Sequence, residues 1–487
     1  METFAEGLSF DDVLLVPQLS EILPSEVSLE TQFLPNIKLN IPVVSSAMDT
    51  VTEDKLATAL AREGGIGVIH RNNTIEEQAT MVRKVKRSEN SVIYDPYTVS
   101  PDITVEEMDA LKTSLGVSGL PVVESDGQLI GIITGRDTRH LDNRSVKVRE
   151  VMTPKDRLIT APEDTSPEEA RKILYQNRIE KLPLVDGAGR LTGLITGADI
   201  ENRLTFTNAA KDESGHLVCG AAVGVGPEYL ERAKALEEAG ADAIFLDAAT
   251  GHTSRVLQVI SDLRSHTNLP VVAGNVVTSY GAKDLIDAGA NAIKVGVGPG
   301  SICTTRVVAG VGMPQFTAIR NAAEYAQDKG VTVIADGGIR YSGDVVKALA
   351  GGAGAVMLGS LLAGTAESPG QMVNYQGRRF KSYRGMGSLG AMNKGKGAAK
   401  DRYAQNASGK MVAEGVEGRV PYKGALADVV FQLMGGLRSG MGYVGASNLD
   451  ELQKRAKFTK ITSGGLRESH AHDIMITEEP TNYQPLS

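Results

Sequence analysis

The stretch A-G-A-D-A-I-F-L-D, Ala239 to Asp247, decides the fold. It follows a helical pattern, Glu228 to Ala239, and runs through four apolar residues to a carboxylate. Glycine just past a helix end suits a tight turn, and a short apolar run bounded by turn signals reads as a strand buried on both faces. Similar lead-ins recur as A-G-A-N (288–291) and G-G-A-G (351–354). Outward from there, further apolar runs lie at Cys219 to Val223, Pro270 to Ala273, Ala292 to Val297, Val331 to Asp336 and Ala355 to Leu358. Helical patterns separate them at Ser254 to Arg264, Gly281 to Ala288, Ala318 to Lys329 and Gly343 to Ala350. Two earlier runs, Ile41 to Asp49 and Gly65 to Ile69, are followed by helices Glu53 to Glu63 and Ile75 to Arg87. Eight buried strands alternating with helices predict a (β/α)₈ TIM barrel, with a doubly wound open sheet as the alternative.

The rhythm breaks between Val92 and Leu204, where the chain repeats itself. G-L-P-V-V-E-S-D-G-Q-L-I-G-I-I-T-G-R-D (119–137) matches K-L-P-L-V-D-G-A-G-R-L-T-G-L-I-T-G-A-D (181–199). Each copy carries a turn between two apolar strands and an upstream helix opened by acidic residues, Glu106-Glu107 and Glu168-Glu169. The pair resembles tandem cystathionine-β-synthase (CBS) domains, a family of adenine- and guanine-nucleotide sensors. The expected boundaries are 92–150 and 151–207, inserted between barrel segments 1–91 and 208–487. A nucleotide sensor and a paired domain used only for assembly both fit, and Asp137 and Asp199 are the candidate ribose contacts.

The 487 residues allow several domains. A net charge of −8 argues against a general nucleic-acid or membrane-surface role. No apolar run approaches the ~20 residues of a membrane span, and M-E-T-F-A-E-G lacks the features of a secretion signal. With only Cys219 and Cys303 there is no disulfide framework, so the expectation is a reducing, cytoplasmic location.

Barrel active sites lie at the C-terminal ends of the strands. Those ends read Ser45-Ser46 and Met48, His70-Arg71, Asp247, Gly274-Asn275, the loop Gly298 to Gln315, Asp336-Gly337-Gly338 and Gly359-Ser360. The loop, G-P-G-S-I-C-T-T-R-V-V-A-G-V-G-M-P-Q, sets Cys303 among Ser301, Thr304, Thr305 and Arg306. A nearby cation or helix N-terminus would raise its thiolate fraction and make it a nucleophile. Cys219, inside an apolar strand, reads as an inert core thiol. The glycine turns after the seventh and eighth strands either cradle a phosphate or only close the connections. His252 is a rim histidine or a base. No Cys-x-x-Cys or His-rich cluster suggests zinc. Beyond the eighth strand, Gln371 to Gly424 reads as a long loop holding Asp401-Arg402-Tyr403 and Glu414, a linker or a moving lid. A last helix is expected from Leu426 to Met434.

Taken together, F-D-D-V-L-L-V-P, S-S-A-M-D-T-V-T-E, G-G-I-G-V-I-H, G-P-G-S-I-C-T-T-R, A-D-G-G-I-R, Y-R-G-M-G-S and D-R-Y resemble the inosine-5′-monophosphate (IMP) dehydrogenase family over essentially the whole chain. The resemblance implies oxidation of IMP to xanthosine monophosphate with NAD⁺ and water, through a covalent intermediate on Cys303. It implies that Arg402 activates water with Tyr403 beside it, on a flap at 388–420, and that Thr305 assists proton transfer. IMP would be held by Ser301, Asp336, Gly337, Gly338, Gly359, Ser360, Tyr383, Arg384, Gly385, Met386, Gly387 and Glu414. NAD would meet Asp247, Thr250, His252, Asn275, Gly296, Val297 and Gly298. Potassium would sit on the carbonyls of Gly298, Gly300 and Cys303, completed by Glu468, Ser469 and His470 of a neighbouring subunit, in the segment 464–475. The assembly implied is a homotetramer, or an octamer built through the CBS pair. Two other readings stand against this: a guanosine monophosphate reductase, a relative that usually lacks the insertion and has no D-R-Y flap, and a nucleotide-sensing regulator on an inactive barrel.

Overall fold

The computed structural model describes residues 5–88, 93, 96–394, 412–478 and 480–483. The chain separates into two compact units, 1–86 with 208–487 and 87–207. In the first, eight parallel strands follow in order: β1 (Val43–Ser45), β2 (Gly67–Ile69), β3 (Cys219–Val223), β4 (Ala243–Leu246), β5 (Val271–Val276), β6 (Ala292–Val295), β7 (Thr332–Asp336) and β8 (Ala355–Leu358). Each pairs with its sequence neighbours, and β8 pairs with β1. Between β1 and β2, Ser45 N donates to Ile66 O (3.1 Å) and Ile66 N to Val43 O (3.0 Å). With both edges joined, the sheet is a closed barrel and not an open one.

Helices α1 (Asp54–Arg62), α2 (Ile75–Arg87), α3 (Tyr229–Glu238), α4 (Ser254–His266), α5 (Ser279–Asp287), α6 (Gln315–Ala326) and α7 (Ser342–Ala350) alternate with the strands. Two of their starts are written in local chemistry: the Thr253 and Thr278 hydroxyls accept from Val256 N and Gly281 N. The strands alternate between two apolar clusters. Ile244, Val271, Ile293, Val333 and Val356 pack outward with the helices. Val44, Val68, Ala222, Phe245, Val272, Ile334 and Met357 fill the interior. A hairpin, Thr31–Leu34 and Ile37–Leu39, joins the interior cluster through Phe33, Leu34, Ile37 and Leu39, and Phe33 stacks on Phe245 at 6.4 Å between centroids.

Two expectations change beyond the eighth strand. The stretch 371–424 is not one long loop: Met372–Tyr375, Arg378–Arg384 and Glu417–Pro421 form a three-stranded antiparallel sheet. The helix expected to be last, α8, runs Leu426–Val444, well past Met434, and two shorter helices, Leu449–Arg455 and Ser463–Glu468, follow it. The glycines of α8 continue the helix because they are contact points. A Cβ on Gly436 would lie 2.1 Å from Ser342 Oγ, and one on Gly440 would lie 2.7 Å from Val346. They let α8 pack closely on α7 at the usual helix-interior cost of glycine.

The second unit holds the repeat. Helices Val105–Leu115 and Pro167–Asn177 each begin in a capping box, Thr104 with Glu107 and Ser166 with Glu169. Hairpins Gly119–Val123/Leu129–Thr134 and Lys181–Val185/Leu191–Thr196 carry a register shift at the same point of each copy, and each copy has its own apolar core. The expected barrel boundary at 91/92 falls among residues outside the described set.

Candidate active site

The C-terminal strand ends open into one cleft lined by Ser46, Met48, Asp247, Asn275, Lys294, Pro299 to Cys303, Asp336 to Ile339, Gly359-Ser360, Tyr383, Gly385 to Gly387 and Glu414-Gly415. Glycine makes this convergence possible. Gly296 has φ +145°, and a Cβ there would lie 2.2 Å from Asp336 O. The β6 loop therefore touches the end of β7 only because position 296 has no side chain.

Cys303 sits where three segments meet. Thr304 N donates to Glu414 O (3.0 Å), Val416 N to Ile302 O (3.0 Å), Glu414 N to Gly387 O (3.1 Å) and Gly385 N to Val416 O (3.0 Å). This backbone lattice fixes a side-chain chain. The Cys303 thiol donates to Thr305 Oγ1 (3.2 Å), whose hydroxyl donates to Glu414 Oε2 (2.8 Å). A thiol, a hydroxyl and a carboxylate in line form a path for removing the thiol proton. Cys219 is the opposite case: it is fully buried, and burial, with the Asp242 charge, pushes its thiol far above the ordinary range.

Deeper in, Lys294 Nζ donates to Asn275 Oδ1 (2.7 Å), and Asn275 Nδ2 donates to Gly296 O (2.8 Å) and Asp336 Oδ2 (2.9 Å). Gln315 Nε2 donates to Val295 O (2.8 Å) and Asp336 O (3.1 Å), tying together the ends of β6 and β7. Arg71 Nε donates to Asp247 Oδ2 (3.1 Å) in a buried pair. Tyr383 is buried, and burial pushes its phenol up to about 12, with the Asp336 charge adding and a Ser301 hydrogen bond opposing. It remains a protonated donor at neutral pH.

Of the residues singled out in the sequence, Ser301, Cys303, Asp336, Gly337, Gly338, Gly359, Ser360, Tyr383, Gly385, Met386, Gly387, Glu414, Asp247, Asn275, Gly296, Gly298 and Gly300 line this cleft. Thr305 stands one hydrogen bond behind Cys303. Arg384 does not line it: its guanidinium is turned onto Asp49, which Asn72 also reaches (2.8 Å). Val297 lies outside the lining and Thr250 is exposed. His252 Nε2 meets Asp284 Oδ2 (2.8 Å), and its ring is tilted against Tyr280 at 5.6 Å. Glu468 to His470 do not line the cleft of their own chain, and His470 Nδ1 meets the Tyr483 hydroxyl (3.1 Å). Arg402 and Tyr403 lie outside the described residues. Sequence reading missed Lys294 and gave Arg71 no role. The signal for the first was a lysine within the otherwise apolar A-I-K-V.

The inserted unit has its own cavity, lined by Asp137 with Arg136, Arg139, Arg157 and Lys181. Asp137 accepts from Thr134 N (2.7 Å) and Thr153 Oγ1 (3.2 Å). The side chain of Asp199 lies outside the described residues.

Residues 7–472 match the family described as IMP dehydrogenase / GMP reductase domain. Among curated proteins, the chain is 58% identical to an inosine-5′-monophosphate dehydrogenase of Aquifex aeolicus, over 98% of both chains. It is 54% identical to one of Halalkalibacterium halodurans, again over 98% of both. Among solved structures, a GMP reductase C318A from Trypanosoma brucei in complex with guanosine 5′-monophosphate superposes with a TM-score of 0.89 at 40% identity, covering 97% of this chain and 99% of that one. Coverage of that extent includes a counterpart of the inserted unit, so the insertion does not separate the two activities.

Proposed function

The chain belongs to the IMP dehydrogenase / GMP reductase family, and from that premise we propose that it oxidises inosine 5′-monophosphate to xanthosine 5′-monophosphate with NAD⁺ and water. One observation carries the reading: the Cys303 thiol, linked through Thr305 to Glu414, opens into the cleft that also holds Asp336 and the glycine turns after β7 and β8. Cys303 Sγ bonds to C2 of the purine while the Thr305–Glu414 pair takes the thiol proton. The C2 hydrogen then leaves as hydride to the oxidised nicotinamide, and a thioimidate remains. Water adds to C2, the sulfur departs with a proton, and the product is released. Covalent catalysis thus divides one difficult oxidation into a redox half and a hydrolytic half.

Asp336 accepts from the ribose hydroxyls of IMP. Ser301, Gly337-Gly338 and Gly359-Ser360 receive its phosphate, with Tyr383 as a protonated donor. Gly385 to Gly387 and Glu414 face the base. Asp247 and Asn275 hold the nicotinamide half of NAD, with Gly296 to Gly298 alongside and Thr250 and His252 towards the adenine half. Arg402 and Tyr403, on the flap, serve the hydrolytic half. Potassium suits the carbonyls of Gly298, Gly300 and Cys303, which are hard oxygen donors. The Gly300 carbonyl accepts Cys303 N–H (3.0 Å) and keeps a second lone pair. Glu468, Ser469 and His470 of a neighbouring subunit complete that site in a homotetramer. The cationic lining beside Asp137 suits the phosphates of a regulatory nucleotide, and favours that use of the inserted pair over assembly alone.

The test is NADH absorbance with IMP and NAD⁺, with and without potassium. NADH is expected from the wild type, and none above background from Cys303→Ala. A Cys303→Ala protein with near-wild-type turnover would end the covalent reading. Consumption of reduced nicotinamide with guanosine monophosphate, and no NADH from IMP, would establish the reductase reading instead.

A further inference from the structure

We propose that Lys294 is a positioning residue for the reaction: it fixes the orientation of the Asn275 amide, and through it the Asp336 carboxylate that receives the substrate ribose. The inference rests on the reading of the cleft given above. Lys294 is 5% exposed and points into the barrel mouth, whose lining holds Val68, Ala222, Phe245 and Met357 beside the polar groups of Asp247, Asn275 and Asp336. A buried ammonium carries a desolvation penalty, so packing alone gives no reason to place one there.

The hydrogen bonds say what it does. An ammonium only donates, so Asn275 must turn its oxygen toward Lys294 (2.7 Å). That choice leaves both amide hydrogens to the other side, one on Gly296 O (2.8 Å) and one on Asp336 Oδ2 (2.9 Å). Both amide hydrogens then have acceptors, and the amide oxygen keeps a second lone pair toward the cleft. With the amide reversed, its oxygen would face a carbonyl and a carboxylate, two acceptors with no proton between them. Lys294 on one side and the Gly296 and Asp336 oxygens on the other therefore select the same one of two near-isosteric amide states, and Lys294 supplies the only donor among the three. The selected one joins the β6 loop, which faces the nicotinamide, to the carboxylate at the end of β7.

The experiment is a double-mutant cycle on the full chain, reading IMP affinity by calorimetry and kcat/KM by NADH formation. Lys294→Met should weaken IMP binding by about tenfold in the wild-type background, a coupling typical of directly bonded neighbours. In an Asn275→Ala background the same change should cost less than about twofold, because the amide it orients is gone. Lys294→Gln, which keeps an N–H donor without the charge, should recover most of the affinity. Equal losses in both backgrounds, or a Gln variant as damaged as the Met variant, would overturn the proposal in favour of direct ligand contact or barrel packing. If Lys294→Met does not fold, Lys294→Gln decides: near-wild-type IMP affinity supports the amide role and a tenfold loss overturns it. A wild-type protein that binds IMP but forms no NADH would sink the proposed reaction while the calorimetric cycle still judged Lys294. Absence of IMP binding would overturn both.

Discussion

Thr305 is the smallest part on which the proposed chemistry turns. Its hydroxyl accepts from the Cys303 thiol and donates to Glu414, so it can pass a proton only if an oxygen stands at that point. Thr305→Val keeps the shape and removes the oxygen. NADH formation in steady-state assays should fall on the order of 10²-fold, the scale of a lost acid–base group. Thr305→Ser, which keeps the hydroxyl, should stay within a few-fold of wild type. A Val variant as active as the Ser variant would show that the thiol loses its proton by another route. At this scale the sequence was readable where polarity changed along the chain. Cys219, within an apolar strand, is buried, and Cys303, among glycines and hydroxyls, lines the cleft. Lys294 was not readable, because an inward-facing lysine of a buried strand differs from a mistaken strand assignment only once the barrel interior is known.

Among the elements, the sheet beyond β8 was the least legible, since its strands read as polar loop until they pair. Arg378–Arg384 pairs with Glu417–Pro421, setting Tyr383 opposite Gly418 and Arg384 opposite Glu417, so both ends of the proposed flap start from one sheet. Arg384 anchors that sheet to the loop after β1 by gripping Asp49. Motif resemblance assigned Arg384 to the substrate, whereas the fold turns it to a carboxylate far away in sequence. Burial opposes the Asp49 charge, but hydrogen bonds from Arg384 and Asn72 and the Arg384 charge outweigh it, holding the carboxyl below its ordinary value of 3.8. A depressed carboxyl stabilises the fold above its ordinary pKa, and that contribution is lost as pH falls through the lower folded value. Asp49→Asn should therefore lower stability near neutrality by about 1.5–3 kcal/mol, the range for a charge-assisted hydrogen bond. Its stability should also fall less steeply than wild type on acidification below pH ~4. Urea unfolding at neutral and acid pH checks both signs. Parallel curves for the two proteins would mean that the pair carries no net stability.

For the whole molecule, the alternation of strand and helix and the internal repeat were both legible, because each rests on local periodicity. Closure of the barrel rests on contacts between residues far apart, and only the β1–β2 and β1–β8 pairings establish it. The chain leaves the barrel unit at the end of α2 and returns ahead of β3. Both stubs are held from within the barrel unit. Lys86 Nζ donates to Asp212 (2.9 Å) and Asp242 (2.8 Å), Ala210 N donates to Ala61 O (2.8 Å), and Asn208 Nδ2 donates to Glu63 O (2.7 Å). Burial opposes the Lys86 charge, but the two carboxylates outweigh it and keep the ammonium protonated well beyond neutral pH. These contacts do not involve the insertion, so replacing residues 88–207 by a short flexible linker should leave a folded barrel with its kcat retained. What should disappear is any response to adenine or guanine nucleotides, a coupling of about 5–150-fold where such regulation exists. The deletion should respond differently from Lys86→Met, which removes the clasp but keeps the insertion: that variant should lose thermal stability yet keep its nucleotide response. If the deletion retained the response, the regulatory nucleotide would bind the barrel and not the repeat. If the deletion failed to fold while Lys86→Met did not, the stubs would owe their order to the insertion itself.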